Sequence, residues 1–456
     1  MLKLKQLALS LLLIGGAARA NDDALIKKGQ YLATASDCTA CHTTEHGQPF
    51  AGGKAIDSPV GQIIATNITP SNTAGIGTYT EQQFADALRK GVRADGARLY
   101  PAMPYTAYAT LTDEDVHALY AYFMSAVKPV DRVTEQTHLP FPLNLRVSLF
   151  FWNALFLKAP GYTPDATKSA AWNRGRYLVD GATHCSTCHT PRGMLMQEKP
   201  REAFTGAQVG AWYAPNITAN ATSGIGEWSQ DDLVTYLKTG RLAGKAQAAG
   251  SMAEAITHSF QYLSEDDLAA IAEYMRSIGD SSAPASGSSR FQQGNAANST
   301  AFRGAPLTFP DDHAGARLYS GNCASCHGTL AQGTKDAFYP SLFHNSATGA
   351  ANPSNLIATI LFGVQRHTAE GDVYMPPFGA QPNALNHLDD RQIATLSNWI
   401  LHNYGNADVT VSPEQVAESR RGGPASPLVT FAQAGIAAGA LLLAVLIIVV
   451  WRRRRR

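Results

Sequence analysis

Three times along the chain a polar, acid-rich start runs into apolar residues at helical spacing. The stretches are LTDEDVHALYAYFMSA (111–126), LSEDDLAAIAEYMRSI (263–278) and LDDRQIATLSNWILHNY (388–404). Each predicts an amphipathic helix that buries one face. Their starts carry capping boxes, Thr112 with Asp115, Ser264 with Asp267 and Asp389 with Gln392. Each is preceded, well upstream, by a shorter helical stretch holding a glycine: KKGQYLATASDC, NRGRYLVDGATHC and HAGARLYSGNC. In the closing helices Leu111, Leu263 and Leu388 each stand 11 residues before an aromatic, Tyr122, Tyr274 and Trp399. Gly29, Gly175 and Gly315 would let the first helix of each unit cross close to that aromatic. The pattern is a helical unit repeated three times.

The two ends break the pattern. The N-terminus, MLKLKQLALSLLLIGGAARA, has basic Lys3 and Lys5, an apolar Leu7–Ile14 core and the small residues Ala18 and Ala20 around Arg19. It reads as a secretory signal cut after Ala20. At the other end, Phe431–Trp451 is 21 residues without a charge, followed by five arginines. At the helical rise this reaches roughly 31 Å, the thickness of a bilayer core. The arginines would stay cytoplasmic, so everything from Asn21 to Leu428 would lie outside. A third apolar run, Val147–Leu157, is too short to span. An interfacial helix, a docking surface and packing between the first two units are the alternatives it leaves open.

Composition is that of a folded globular protein, with 45% hydrophobic residues. The formal net charge of +1 hides an asymmetry. Eight of the 37 basic residues lie in the two ends, which leaves 29 against 36 acidic ones in the exported part. A surface near −7 does not suit nucleic acid.

All six cysteines fall in three C-x-x-C-H stretches: Cys38, Cys41 and His42; Cys185, Cys188 and His189; Cys323, Cys326 and His327. No cysteine is left for structural disulfides. Two thiols three apart share a helix face, and the next residue offers an imidazole. This is the spacing of covalent c-type haem attachment, with the cysteines on the porphyrin and the histidine on the iron. Zinc would need a fourth ligand at similar spacing in each unit, and a thioredoxin-type pair needs no histidine. Three covalently bound haem c groups are therefore expected.

The internal repeat points to the opposite iron ligand. Unit one has ATNITPSNTAGIGTY and unit two APNITANATSGIGEW. Gly77 to Met103 spans 26 residues, as does Gly226 to Met252. From haem histidine to methionine the spans are 61 and 63, and His327 to Met375 is 48. Met103, Met252 and Met375 are the expected sixth ligands. Prolines at 101, 104, 376 and 377 stiffen two of these loops, and the Met252 loop lacks them. The NIT…GIG stretches carry no chemistry of their own that the residues reveal.

Each unit resembles a class I cytochrome c domain: glycine helix, CxxCH, methionine loop, closing helix with an aromatic. The whole order is similar to the triheme cytochrome c subunit of bacterial membrane-bound dehydrogenases. The resemblance implies an all-α chain of three tandem class I domains with a single C-terminal transmembrane helix. Its boundaries are a signal at 1–20, domain one at 21–130, an apolar linker at 131–167 and domain two at 168–280. A flexible linker at 281–305, domain three at 306–407, a further linker at 408–429 and the anchor at 430–451 complete it. It further implies that Pro191, and Pro49 less directly, hold the haem histidines through their carbonyls; unit three has no near proline after its CxxCH, only Gly328 and then Pro340, so the resemblance assigns His327 no partner.

The function implied is electron transfer from a catalytic dehydrogenase subunit, carrying flavin or pyrroloquinoline quinone, to ubiquinone. A flavin enzyme for gluconate, a sugar or a polyol is favoured over a quinone-cofactor alcohol dehydrogenase. A multihaem peroxidase with one open iron, or the cytochrome subunit of a terminal oxidase, is the rival reading.

Overall fold

A computed structural model describes residues 22–279, 289–296 and 312–455. The signal segment 1–20 and most of the linker 281–305 lie outside the described residues. Each unit opens with a helix: residues 22–35, Ala170–Tyr177 and Asp312–Asn322. A short attachment helix follows: Cys38–His42, Ser186–His189 and Ala324–His327. A middle helix comes next: Glu81–Lys90, Gln230–Thr239 and Ser354–Phe362. The closing helices are Asp113–Ser125, Glu265–Ser277 and Asp390–Tyr404.

The expected crossings are present. A Cβ added at Gly29 would lie 1.9 Å from the Ala118 carbonyl oxygen and 2.7 Å from Tyr122 Cβ. At Gly175 the same atom would meet the Ala270 oxygen at 1.9 Å, and at Gly315 Trp399 Cβ at 2.5 Å. No side chain fits there: in units one and two the glycine lies on the backbone of the closing helix, and in unit three on the Trp399 side chain.

The all-α expectation holds only in part. Among the described residues, four two-stranded antiparallel hairpins join the helices. They pair Ala55–Ser58 with Gly61–Ile64, Ala207–Val209 with Trp212–Ala214, Arg241–Leu242 with Ala246–Gln247, and Val364–Thr368 with Gly371–Met375. Strand segments this short carry too little periodicity to be told from loop in the sequence.

Units one and two share one hydrophobic core, whereas unit three has its own. Their junction has a pseudo-twofold character. Tyr177 of unit two donates to Asp115 of unit one at 2.5 Å, and Tyr31 of unit one donates to Asp267 of unit two at 2.6 Å. Each aspartate also binds a cation from its own unit, Lys28 at 2.8 Å and Arg174 at 2.7 Å. This changes the expected capping. Thr112 and Ser264 do cap their helices, but Asp115 and Asp267 turn to the neighbouring unit. Of the three expected boxes, Asp389 with Gln392 is the one with both bonds.

Two linkers are more structured than their composition suggests. Residues 289–296 are wedged between units two and three, with Phe291 buried beside Trp228 at 5.6 Å between ring centres. Helix Pro413–Arg420 docks on unit three, where Arg420 binds Asp390 at 2.7 Å. The apolar run forms helix Ser148–Phe156. It buries Leu149 against Tyr100 and Leu139 of the unit-one side, and Trp152 donates to the Leu195 carbonyl of unit two. Phe150, Phe151 and Leu155 stay exposed, so packing between the units does not use up its apolar face.

Candidate haem centres

The attachment helices place the thiols and imidazoles as their spacing requires. All six cysteines are unpaired. Burial pushes the thiols up, Cys38 and Cys323 to about 12 and Cys41 and Cys185 to about 11. They are neutral thiols in apolar walls. Burial also lowers His42 and His327, and takes His189 down to about 4, so the imidazoles are neutral.

The ring orientation is fixed by one repeated bond. His42 Nδ1 lies 2.6 Å from the Thr66 carbonyl, His189 Nδ1 2.6 Å from that of Pro215, and His327 Nδ1 2.8 Å from that of Pro340. A carbonyl only accepts, so Nδ1 carries the proton and Nε2 keeps its lone pair. That is the tautomer an iron ligand needs. The expected proline partners are corrected here. The Pro191 carbonyl takes the Lys199 amide instead. The true acceptors lie 24 and 26 residues downstream in units one and two and 13 in unit three.

This gives the NIT…GIG stretches a role the sequence did not disclose. Thr66 and Pro215 immediately precede the asparagines. Asn67 Oδ1 accepts from the Thr69 amide and hydroxyl at 2.9 and 2.7 Å, and Asn216 Oδ1 does the same with Thr218 at 2.8 and 2.7 Å. The turn so formed presents the preceding carbonyl to the histidine. The glycines close it from behind. A Cβ at Gly75 would be 2.1 Å from the Thr69 oxygen, and one at Gly224 2.3 Å from the Thr218 oxygen. The asparagine–threonine spacing is that of an Asx turn, which was the available signal.

The methionines sit on three different supports. Met103 lies in a turn before helix Tyr105–Tyr108, Met252 in the first turn of helix Gly250–His258, and Met375 at the end of its strand. Met103 and Met252 pack against the core that also receives Cys38 and Cys185, and Met375 against the one that holds Cys323. His46 is exposed beside Glu45. His184 is half-buried at the unit junction, its ring 5.7 Å from Tyr108. Among the described residues no three His, Cys, Asp or Glu side chains cluster to hold a bare metal ion.

The sequence pattern of the cytochrome c family matches residues 26–126, 173–279 and 313–403. The chain belongs to the cytochrome c family. It is 50% identical over 421 residues to the fructose dehydrogenase cytochrome subunit of Gluconobacter japonicus, covering 90% of this chain and 86% of that one. It is 40% identical over 427 residues to the alcohol dehydrogenase (quinone) cytochrome c subunit of Gluconobacter oxydans, covering 90% and 85%. It is 38% identical over 431 residues to the gluconate 2-dehydrogenase cytochrome c subunit of Pantoea cypripedii, covering 91% and 94%. The three family matches and the three cysteine pairs fit three covalently bound haem c groups, one in each unit. A bound haem supplies a one-electron iron couple. The protein supplies the thiols that tether it, the oriented imidazole, and the apolar wall that limits water.

Proposed function

We propose that this cytochrome is the electron-transfer subunit of a membrane-bound, periplasm-facing dehydrogenase that oxidises a sugar of the fructose type. The observation that carries the reading is the 50% identity, across nine-tenths of the chain, to a fructose dehydrogenase cytochrome subunit. Gluconate and alcohol dehydrogenase subunits follow at lower identity. In this reading the partner holds the substrate and its own cofactor, flavin in preference to pyrroloquinoline quinone. This chain accepts electrons one at a time and delivers them to ubiquinone. His42 with Met103, His189 with Met252, and His327 with Met375 are the axial pairs. Two strong, saturated ligands on each iron suit electron transfer rather than substrate binding at the metal.

The membrane placement rests on helix Leu428–Arg454, which is long and apolar enough to cross a bilayer and has no buried residue in the fold. The exposed apolar helix Ser148–Phe156 favours the same side. Gln433, near the start of the long helix, donates to the Phe141 carbonyl at 2.8 Å, and the Ser426 amide to that of Pro59. Phe141 thus lies at the base of the anchor, and Phe150, Phe151 and Leu155 are exposed on helix Ser148–Phe156, as an interfacial surface would require.

The test is mild detergent extraction from the native membrane. The large subunit that co-purifies is identified with its cofactor, and fructose, gluconate and ethanol are added in turn while haem reduction is followed. Reduction by fructose with a flavin subunit supports the proposal. Reduction by ethanol through a pyrroloquinoline quinone subunit reassigns the complex to alcohol oxidation. Absence of any dehydrogenase partner and of reduction by all three substrates refutes it.

A further inference from the structure

One block of the surface is free of acid. From Gln136 to Pro164 there is no aspartate or glutamate, in an exported part where acidic residues outnumber basic ones. The same stretch holds helix Ser148–Phe156, with Phe150, Phe151 and Leu155 exposed. Two arginines stand against it. The Arg98 guanidinium lies 5.4 Å from the centre of the Phe150 ring. That of Arg146 lies 4.4 Å from the centre of the Tyr100 ring and donates to the Arg98 carbonyl at 2.5 Å. Tyr100 in turn donates to the Leu143 carbonyl at 3.0 Å. Both cations are therefore built into one block with the exposed apolar helix.

Arg89 and Arg93 of the same unit pair with Asp113 at 2.7 Å and Asp95 at 2.6 Å. Among the described residues Arg98 and Arg146 form no ion pair, and an aromatic face stands where a carboxylate would. A guanidinium is weakly hydrated, so it tolerates an apolar neighbour and keeps its outer donors for an anion.

The block also carries the base of the long apolar helix. The Ser426 amide donates to the Pro59 carbonyl at 2.8 Å, and Gln433 to the Phe141 carbonyl at 2.8 Å. Beyond Pro59 the hairpin packs Val60 and Ile63 on the cluster of Tyr100, Leu139 and Leu149. Phe141 is two residues before Leu143, whose carbonyl Tyr100 holds. The arginines thus belong to the part of the fold from which the anchor departs.

We propose that Arg98 and Arg146 bind the phosphate of an anionic phospholipid whose chains lie on Phe150, Phe151 and Leu155. A guanidinium presents paired donors that match two phosphate oxygens. An interfacial helix takes up the acyl chains, and an anionic headgroup supplies the charge that this block lacks. Continuity with the base of the anchor favours lipid over a protein partner. The inference rests on reading helix Leu428–Arg454 as a membrane anchor, and not on which substrate feeds the complex.

The test holds the full haem-loaded chain in detergent micelles with equal phosphatidylglycerol and phosphatidylcholine. After washing, retained lipid is quantified by mass spectrometry, with haem content and co-purifying subunits measured alongside. Wild type retains phosphatidylglycerol in excess. The excess falls about fivefold in each of Arg98→Gln and Arg146→Gln, the effect of one cation near an anionic lipid surface. The arginines after Trp451 are present in every variant and cancel from the comparison. Arg317→Gln, exposed on the opening helix of unit three, leaves the ratio unchanged. Arg98→Gln keeps the bond from Arg146 to the Arg98 carbonyl, so it removes the cation and not the local fold. The proposal is overturned if both variants keep the wild-type ratio at full haem content. It is overturned too if inorganic phosphate strips the excess at matched ionic strength, which marks a free-phosphate site. Loss of the large subunit from the variants at an unchanged lipid ratio overturns it in favour of a protein contact. Failure of the anchor reading shows separately, as release of the chain from native membranes by salt without detergent.

Discussion

Tyr177→Phe isolates the junction of units one and two. Tyr177 and Asp115 are each 5% exposed, so the hydroxyl and the carboxylate meet out of water. The substitution deletes one charge-assisted hydrogen bond and leaves the ring in place. It also takes the acceptor from the Thr112 amide, which donates to the Tyr177 oxygen at 3.2 Å. Bonds to charged groups contribute about 1.5–3 kcal/mol. Asp115 keeps its ion pair with Lys28, so it is not stranded, and a loss of about 2 kcal/mol follows from that range. With a urea dependence of about 3 kcal/mol per molar for a body of this size, the midpoint falls by roughly 0.7 M. The assay is urea unfolding of the full chain in detergent, followed by haem absorption. Because units one and two share a core and unit three does not, the fall belongs to one of two transitions. The pseudo-twofold makes Tyr31→Phe its counterpart, since Tyr31 stands to Asp267 and Arg174 as Tyr177 does to Asp115 and Lys28. A shift under about 0.2 M in both variants, or a shift in the unit-three transition, would refute the reasoning.

Acid should weaken the same junction. Burial pushes the Asp267 carboxyl up, but the bonds from Arg174 and Tyr31 outweigh it and hold it below its ordinary 3.8. A depressed carboxylate stabilises fully above its unfolded value and loses this as pH falls through the folded one. The midpoint advantage of wild type over Asp267→Asn should be flat from pH 7 to about 4 and shrink below. Replacing Met103, Met252 or Met375 by Ala should each open one iron to cyanide, read as one new ligand-bound spectrum per variant; a wild-type chain that already binds cyanide at the second haem would favour the peroxidase-like reading. A nitroxide on Phe151→Cys in membranes should relax with oxygen dissolved in the bilayer rather than with a water-soluble agent; the reverse would place helix Ser148–Phe156 in water, and shielding from both would place it against a protein partner.

What could be read in the sequence is what repeats at a fixed chemical meaning. The CxxCH stretches, the three crossing glycines and the capped closing helices depend on residues close in sequence or on a simple size rule. Gly29, Gly175 and Gly315 had to be glycine because any Cβ would collide with the facing helix. The histidine-orienting carbonyls were missed for a physical reason. Any backbone carbonyl is the same chemical group, so nothing in Thr66, Pro215 or Pro340 marks it, and only the turn that aims it leaves a trace in the Asn67–Thr69 and Asn216–Thr218 pairs. Asp115 and Asp267 misled for a related reason. A carboxylate three residues after a cap suits a reciprocal cap bond, but it binds a tyrosine and a cation from elsewhere when tertiary packing supplies them. The polar composition of the linker at 281–305 predicts flexibility, but Phe291 and Arg290, two residues in a polar run, dock its described part.

No prolines stiffen the surroundings of Met252, and the structure supplies stiffness by another route. Helix Gly250–His258 packs on the unit-one attachment helix Cys38–His42, and Glu254 meets Lys54 at 2.9 Å. Its other side receives the unit-three hairpin that ends in Met375. In that hairpin Arg366, 1% exposed, binds the Ala248 carbonyl four residues ahead of Met252, and the His367 amide donates to Thr257 at 3.2 Å. Neighbouring units therefore do for Met252 what Pro101 and Pro104 do for Met103. It follows that the two loops differ in what loosens them. Arg366→Gln removes the contact to Ala248 and leaves a buried carbonyl without its donor, while the hydrogen bonds of Arg366 go to Ala248 and Gln247 of unit two. Cyanide should then bind faster at the second haem than in wild type and no faster at the first. Equal acceleration at both, or at neither, would show that the Met252 helix holds its own position and that the third unit is only a neighbour to it.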